Sequence, residues 1–171
     1  MRYIDTAFKQ LAFAWKLYNY ALEGRLELEQ LDKPLTFKDG HALLVLPDKV
    51  FTSPGELIVA LENNLTIVFG AAAITLNRCR EEANMTLADP IISEIDQFAS
   101  VAYQIRNAFA HDIAEPRWNM TNSRYMRLYK FGNIQIDLSK AGNNKPFEYS
   151  DIGGPEVLFW MKAYGEKHVW P

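Results

Sequence analysis

Apolar residues recur at three- and four-residue steps along three long stretches of this chain, and at two-residue steps along two short ones. In the first stretch, Phe8, Leu11, Trp15, Tyr18, Leu22 and Leu26 fall on one helical stripe. Asp5 or Thr6 is placed to cap it, and Pro34 to stop it beyond the glutamate-rich residues 27–30. Leu35-Thr36-Phe37 and residues 43–46 then flank Asp39-Gly40, a hairpin signal. Ser53-Pro54-Gly55-Glu56 predicts a helix start, with Ser53 as cap, proline in the first turn and glutamate in the capping-box position. Leu57, Leu61, Leu65, Val68, Ala72 and Leu76 continue that helix to about Glu82. Asp89-Pro90 repeats the cap-then-proline pattern. It opens a third helix whose seam is Ile91, Ile95, Phe98, Ala102, Ile105 and Phe109, with Pro116 ending it or closing the turn just after.

Beyond Trp118 the period falls to two. Tyr125 to Lys130 and Ile134 to Leu138 flank Phe131-Gly132-Asn133, where Gly-Asn suits a two-residue hairpin turn. Residues 139–146 read as a polar loop, and Pro155 opens a last short helix with Val157, Leu158, Trp160 and Met161. The pattern predicts a mainly α fold: one domain over residues 1–171, a helical bundle with small β hairpins attached near 35–46 and 125–138.

Composition narrows the function classes. Hydrophobic residues make up 49 % of the 171 and aromatics 13 %, ample for a packed core. A net charge of −3 excludes a polycation that coats nucleic acid, so contact with RNA must come from a local basic patch. One cysteine, Cys79, forms no internal disulfide and belongs to no zinc cluster; it is expected to be a small buried hydrophobe in a cytoplasmic protein. No signal-peptide pattern follows Met1, and the apolar run at 65–76 is shorter than the roughly 20 residues of a membrane span. No membrane association, metal or cofactor is expected.

Chemistry concentrates in Ile105-Arg106-Asn107-Ala108-Phe109-Ala110-His111-Asp112. At about 100° per residue, Asn107 and His111 share a face roughly opposite the centre of the seam, while Arg106 stands about 60° from that centre. Arg106 and His111 are then about 140° apart, too far to aim at one atom from one regular helix. A bend near His111, or a two-fold dimer that brings two such segments together, resolves this. Histidine can donate or accept a proton near neutrality, and arginine can hold two phosphate oxygens. That set suits attack of a ribose 2′-hydroxyl on its neighbouring phosphate without metal. Asn107 is placed to orient the imidazole or bond the RNA, and Asp112 has a lesser claim.

The segment Arg106-Asn107-Ala108-Phe109-Ala110-His111 resembles the signature of the HEPN superfamily: arginine, a polar residue, a short spacer, then histidine. The resemblance implies a helical bundle and a metal-independent endoribonuclease of toxin or defence type, acting as a homodimer with both motifs in a shared cleft. It further implies that Arg106 and His111 are catalytic, that Asn107 supports them, and that an antitoxin protein is a possible partner.

Other residues are secondary candidates. Arg117, Arg124, Arg127 and Lys130, interleaved with Trp118, Tyr125 and Tyr129, form a basic and aromatic set able to grip RNA. Glu62 or Asn63 is a candidate accessory group, since helical HEPN bundles place polar residues on another helix. His41 is expected in a turn and His168 in a tail. Two other function classes stay open: an inactive HEPN-like module that binds RNA, a nucleotide or a protein, and a helical regulatory protein in which His111 merely meets its own helix dipole.

Overall fold

The computed structural model describes residues 2–31, 35–46 and 50–170. Pro34 lies outside the described residues. The protein is mainly α-helical with small antiparallel sheets. Helix α1 (Arg2–Leu22) already begins at Arg2, so neither Asp5 nor Thr6 caps it. It ends in a glycine cap: Gly24 stands at φ +66°, its N–H donates to the Ala21 carbonyl (3.0 Å), and the Arg25 N–H donates to that of Tyr20 (2.8 Å). The expected stripe therefore overran the helix by one turn, and a single separate turn, α2 (Leu28–Leu31), follows.

The first hairpin is present. Strands β1 (Leu35–Asp39) and β2 (Ala42–Leu46) pair from Leu35↔Leu46 to Asp39↔Ala42, and Gly40 and His41 make the turn. Helix α3 (Pro54–Glu82) starts where its cap predicts: the Ser53 hydroxyl accepts the Glu56 N–H at 3.3 Å. The Glu56 carboxylate reaches past Ser53 to the N–H and hydroxyl of Thr52, at 2.7 Å each. By length and composition α3 is long and apolar enough to cross a membrane, and 33 % of its most apolar window is buried. Phe69, Ala72, Ala73, Leu76 and Cys79 are buried, as expected of a core helix, whereas Val59, Ile67 and Ile74 are exposed.

Helix α4 (Glu94–Ala110) corrects the sequence expectation at its start. Its cap is Ser93, whose hydroxyl accepts the Asp96 N–H while the Asp96 carboxylate accepts the Ser93 N–H at 2.8 Å. That reciprocal box satisfies two orphan donors. Asp89, the expected cap, instead ion-pairs with Arg124 at 2.6 Å. The expected seam also needs correction. Phe98, Ala102, Ile105 and Phe109 are buried, but Ile95 is 39 % exposed, and Val101, Gln104 and Ala108 are buried beside them. The strands account for this: α4 packs against both β3 (Arg117–Asn119) and β4 (Leu128–Phe131), so more than one stripe is covered.

The second hairpin joins β4 to β5 (Ile134–Asp137) through Gly132-Asn133, with alternating burial on each strand. Residues 139–146 are only partly a loop. Asn143–Pro146 is a strand, β6, that pairs antiparallel with β3 through Arg117↔Pro146 and Asn119↔Asn143. The last helix, α5 (Val157–His168), is longer than expected. It includes His168, whose ring stacks on Tyr164 with centroids 4.5 Å apart, so His168 is helical rather than part of a tail.

The chain groups into two compact units. One combines Met1–Gln10 with Thr66–Pro171; the other is Leu11–Leu65. In the first, Phe69, Phe109, Trp118, Phe147 and Tyr149 form one ring cluster, with centroids 4.9–5.8 Å apart. Phe98, Phe131, Tyr164 and Trp170 form another. Arg80 is a buried cation of this unit. It donates to Asn77 Oδ1 (2.9 Å), Glu81 Oε1 (3.0 Å) and the Met85 carbonyl, and desolvation pulls its pKa down. Cys79 is buried as expected, and burial pushes its thiol up. In the second unit the β1–β2 ribbon leaves Leu43 and Val45 exposed.

Candidate functional site

Arg106, Asn107 and His111 occupy the last turns of α4. His111 is the C-cap of that helix, at φ −97° and ψ −36°, and the chain bends there as it leaves α4. The angular count made for a regular helix holds as far as Ala110, the last helical residue. Asp112 then breaks the helix: its Oδ1 accepts the N–H groups of Ala114 and Glu115, both at 2.9 Å. These bonds, Glu115 first and then Ala114, hold the Asp112 carboxyl below its usual range. Asp112 builds the turn that carries the chain from α4 into β3.

His111 is exposed and opens on a polar cleft of about 440 Å³. Asp112, Glu115, Arg117, Asn119, Asn143 and Asn144 line the cleft with it. The walls come from the end of α4, the turn after it, and the β3–β6 ribbon. Arg117 is fixed there by a bond from Nη1 to the Asn144 carbonyl, 3.2 Å, and Asn144 adopts the left-handed region at φ +62°. The Asn119 amide lies 3.4 Å from His111 Nε2. A second hollow of about 320 Å³ shares Glu115 and Arg117 and is otherwise lined by Thr66, Ala114, Pro116, Pro146, Phe147 and Tyr149.

The structure thus gathers His111, Asp112 and Arg117 from the sequence candidates. Arg106 is outside this lining; its guanidinium is half-buried and donates from Nη1 to Asn107 Oδ1 at 3.0 Å. Asn107 consequently holds Arg106, and Asn119 is the amide beside the imidazole. Arg124 and Arg127 do structural work: Arg124 pairs with Asp89 and stacks 4.6 Å over Tyr125, and Arg127 donates to the Ile91 carbonyl at 3.2 Å. The Lys130 side chain is exposed. Trp118, Tyr125 and Tyr129 are buried in the core, so stacking of bases on them is overturned. Glu62 and Asn63 are exposed in the second unit, where Asn63 lines a shallow depression with Phe51 and Val59. Among the described residues, no group of three His, Cys, Asp or Glu side chains is gathered to hold a metal ion.

Sequence reasoning missed Glu115, Asn119, Asn143 and Asn144. The only local signal was Asn143-Asn144, which reads as a loop. Strand pairing brings them to the cleft, and no short-range pattern encodes that pairing.

Behind the ribbon, Asp151 anchors the site. Its carboxylate accepts Trp118 Nε1 (2.8 Å), the Glu148 N–H (3.1 Å) and Lys145 Nζ. Burial alone raises its pKa, but the bonds from Lys145, Trp118 and Glu148 outweigh this and the net shift is downward. A folded value below the unfolded one gives stability that is present at neutral pH and lost as pH falls through the acid range of aspartate. Chemical denaturation between pH 7 and pH 3 is expected to show a steeper acid loss in the wild type than in Asp151→Asn. Parallel curves would remove Asp151 from this role.

Comparison of the chain with family models, curated proteins and solved structures returned no match.

Proposed function

We propose that this protein is a metal-independent endoribonuclease of the HEPN kind, of toxin or defence type, that works as a homodimer at His111. The single observation that supports it best is that His111 and Arg117 line one cleft. A proton-transfer group and a cation in one cleft are two of the parts that cleavage by the 2′-hydroxyl needs. In this reading Arg106, about 140° round the helix from His111, serves the cleft of the second subunit. The homodimer rests on that angle and on the resemblance of the Arg106–His111 segment, and an antitoxin partner on the resemblance alone.

The test is cleavage of total RNA and purified tRNA in excess EDTA by the wild type, His111→Ala and Arg106→Ala. The wild type is expected to cleave, and His111→Ala to lose about 10²–10⁴-fold, the usual share of a general acid or base. Full activity of His111→Ala would refute the assignment. A specific observation favours the alternative of an inactive RNA-binding module: Arg106 is already engaged by Asn107 and lies outside the cleft lining. RNA binding without turnover by the folded wild type would select it.

A further inference from the structure

Cleavage by a 2′-hydroxyl needs a proton acceptor, a proton donor and a cation, and a single histidine fills only one of these places. The cleft contains two carboxylates, Asp112 and Glu115. They are not equivalent. One oxygen of Asp112 is occupied by two backbone N–H groups, which makes it a weak base. Glu115 takes part in that turn only through its own backbone N–H, so the turn leaves its carboxylate uncommitted. Its side chain is exposed and lines both hollows, on the same wall as Arg117.

We propose that Glu115 accepts the 2′-hydroxyl proton, Arg117 holds the phosphate and His111 protonates the leaving oxygen, all three from one protomer, while Arg106 reaches the cleft from the partner subunit. This rests on the ribonuclease reading and assigns its acceptor and cation within the chain. The ribose 2′-oxygen forms a bond to phosphorus as its proton passes to the Glu115 carboxylate. The bond from phosphorus to the 5′-oxygen breaks, and that oxygen takes the proton from the His111 imidazolium. The products are a 2′,3′-cyclic phosphate and a 5′-hydroxyl; Glu115 ends protonated and His111 neutral, and exchange with water restores both. No metal, oxidant or further reactant enters. Asn119, beside Nε2, is a positioning residue for the imidazole.

The experiment uses the full chain and a short oligoribonucleotide, with kcat/KM followed from pH 4 to pH 9 and the products identified by phosphorus NMR. The wild-type profile is expected to rise and then fall, as the acceptor ionises and the donor loses its proton. Glu115→Gln, which keeps the backbone N–H of the turn, is expected to lose the rising limb and about 10²–10⁴-fold in rate. Arg117→Ala is expected to lose about 10²–10³-fold throughout. An equal mixture of His111→Ala and Glu115→Gln is expected to stay inactive, because acceptor and donor belong to one protomer. Recovery towards about a quarter of wild-type activity would place them on different subunits of a dimer and overturn the proposal. Glu115→Gln with an intact rising limb and wild-type rate would also overturn it, while leaving His111 in place. A folded wild type that cleaves nothing removes the ribonuclease reading and this assignment with it.

Discussion

Trp118→Ala is expected to destabilise the protein by about 3–5 kcal/mol, the range for removing a large aromatic from a closed core. Trp118 is 0 % exposed and its ring centroid stands 5.2 Å from that of Phe147. The substitution removes that packing, leaves a cavity, and takes away the N–H that Asp151 accepts at 2.8 Å. Trp118→Phe keeps most of the ring volume and loses mainly the hydrogen bond, so about 1–2 kcal/mol is expected. Urea denaturation measures both, and thermal unfolding should show the alanine variant lower by roughly 6–20 °C for a chain of this size. A loss below about 1 kcal/mol for the alanine variant would mean that the β3–β6 ribbon is held by other contacts. The effect reaches the site, because Trp118 stands between Arg117 and Asn119 on β3 and itself lines the His111 cleft.

Gly70→Ala is expected to cost about 1–3 kcal/mol, against the usual direction for a helix interior. In an open helix, alanine in place of glycine stabilises by about 0.5–1 kcal/mol. At position 70 a Cβ would fall 2.5 Å from Phe109 Cδ1 and 2.8 Å from Ile113 Cγ1. Both distances are far inside contact, so α3 must shift or both side chains must leave their places. Phe109 and Ile113 bracket His111 in the chain, one on the last turn of α4 and one just beyond it. The variant should therefore lose activity out of proportion to its unfolded fraction. Differential scanning calorimetry beside RNA cleavage at 25 °C separates the two effects. A variant more stable than the wild type would show that α3 and α4 part at Gly70 without cost.

The parts of this fold legible in the sequence are those fixed by local chemistry. Ser53-Pro54 marks the start of α3, Gly132-Asn133 marks the turn of β4 and β5, and the Arg106–His111 segment does fall on the last turns of a core helix. Local cues misled where two of them competed. Asp89-Pro90 looks like a cap, yet Ser93 with Asp96 three residues later satisfies two backbone donors at once and wins. Gly24 ends α1, where a stripe running to Leu26 suggested continuation. The β3–β6 ribbon escaped notice for a different reason. Asn143, Asn144 and Pro146 are exposed and carry no apolar alternation, so only backbone pairing with distant residues defines that strand. The candidate site divides along the same line. His111 and Arg117 stand out by residue type, while Asn119 and Asn144 acquire their meaning only after β3 and β6 meet.

Glu115 and Arg117, with Pro116 between them, form a wall that borders two hollows at once. Sequence drift on that wall alters both surfaces together, so a gain on one side is tied to a change on the other. Phe147 and Tyr149 border only the smaller hollow, and Asn143 and Asn144 only the larger. Of these four, Asn143 is where diversification is expected to accumulate, since Phe147 and Tyr149 also pack in the ring cluster and Asn144 holds Arg117.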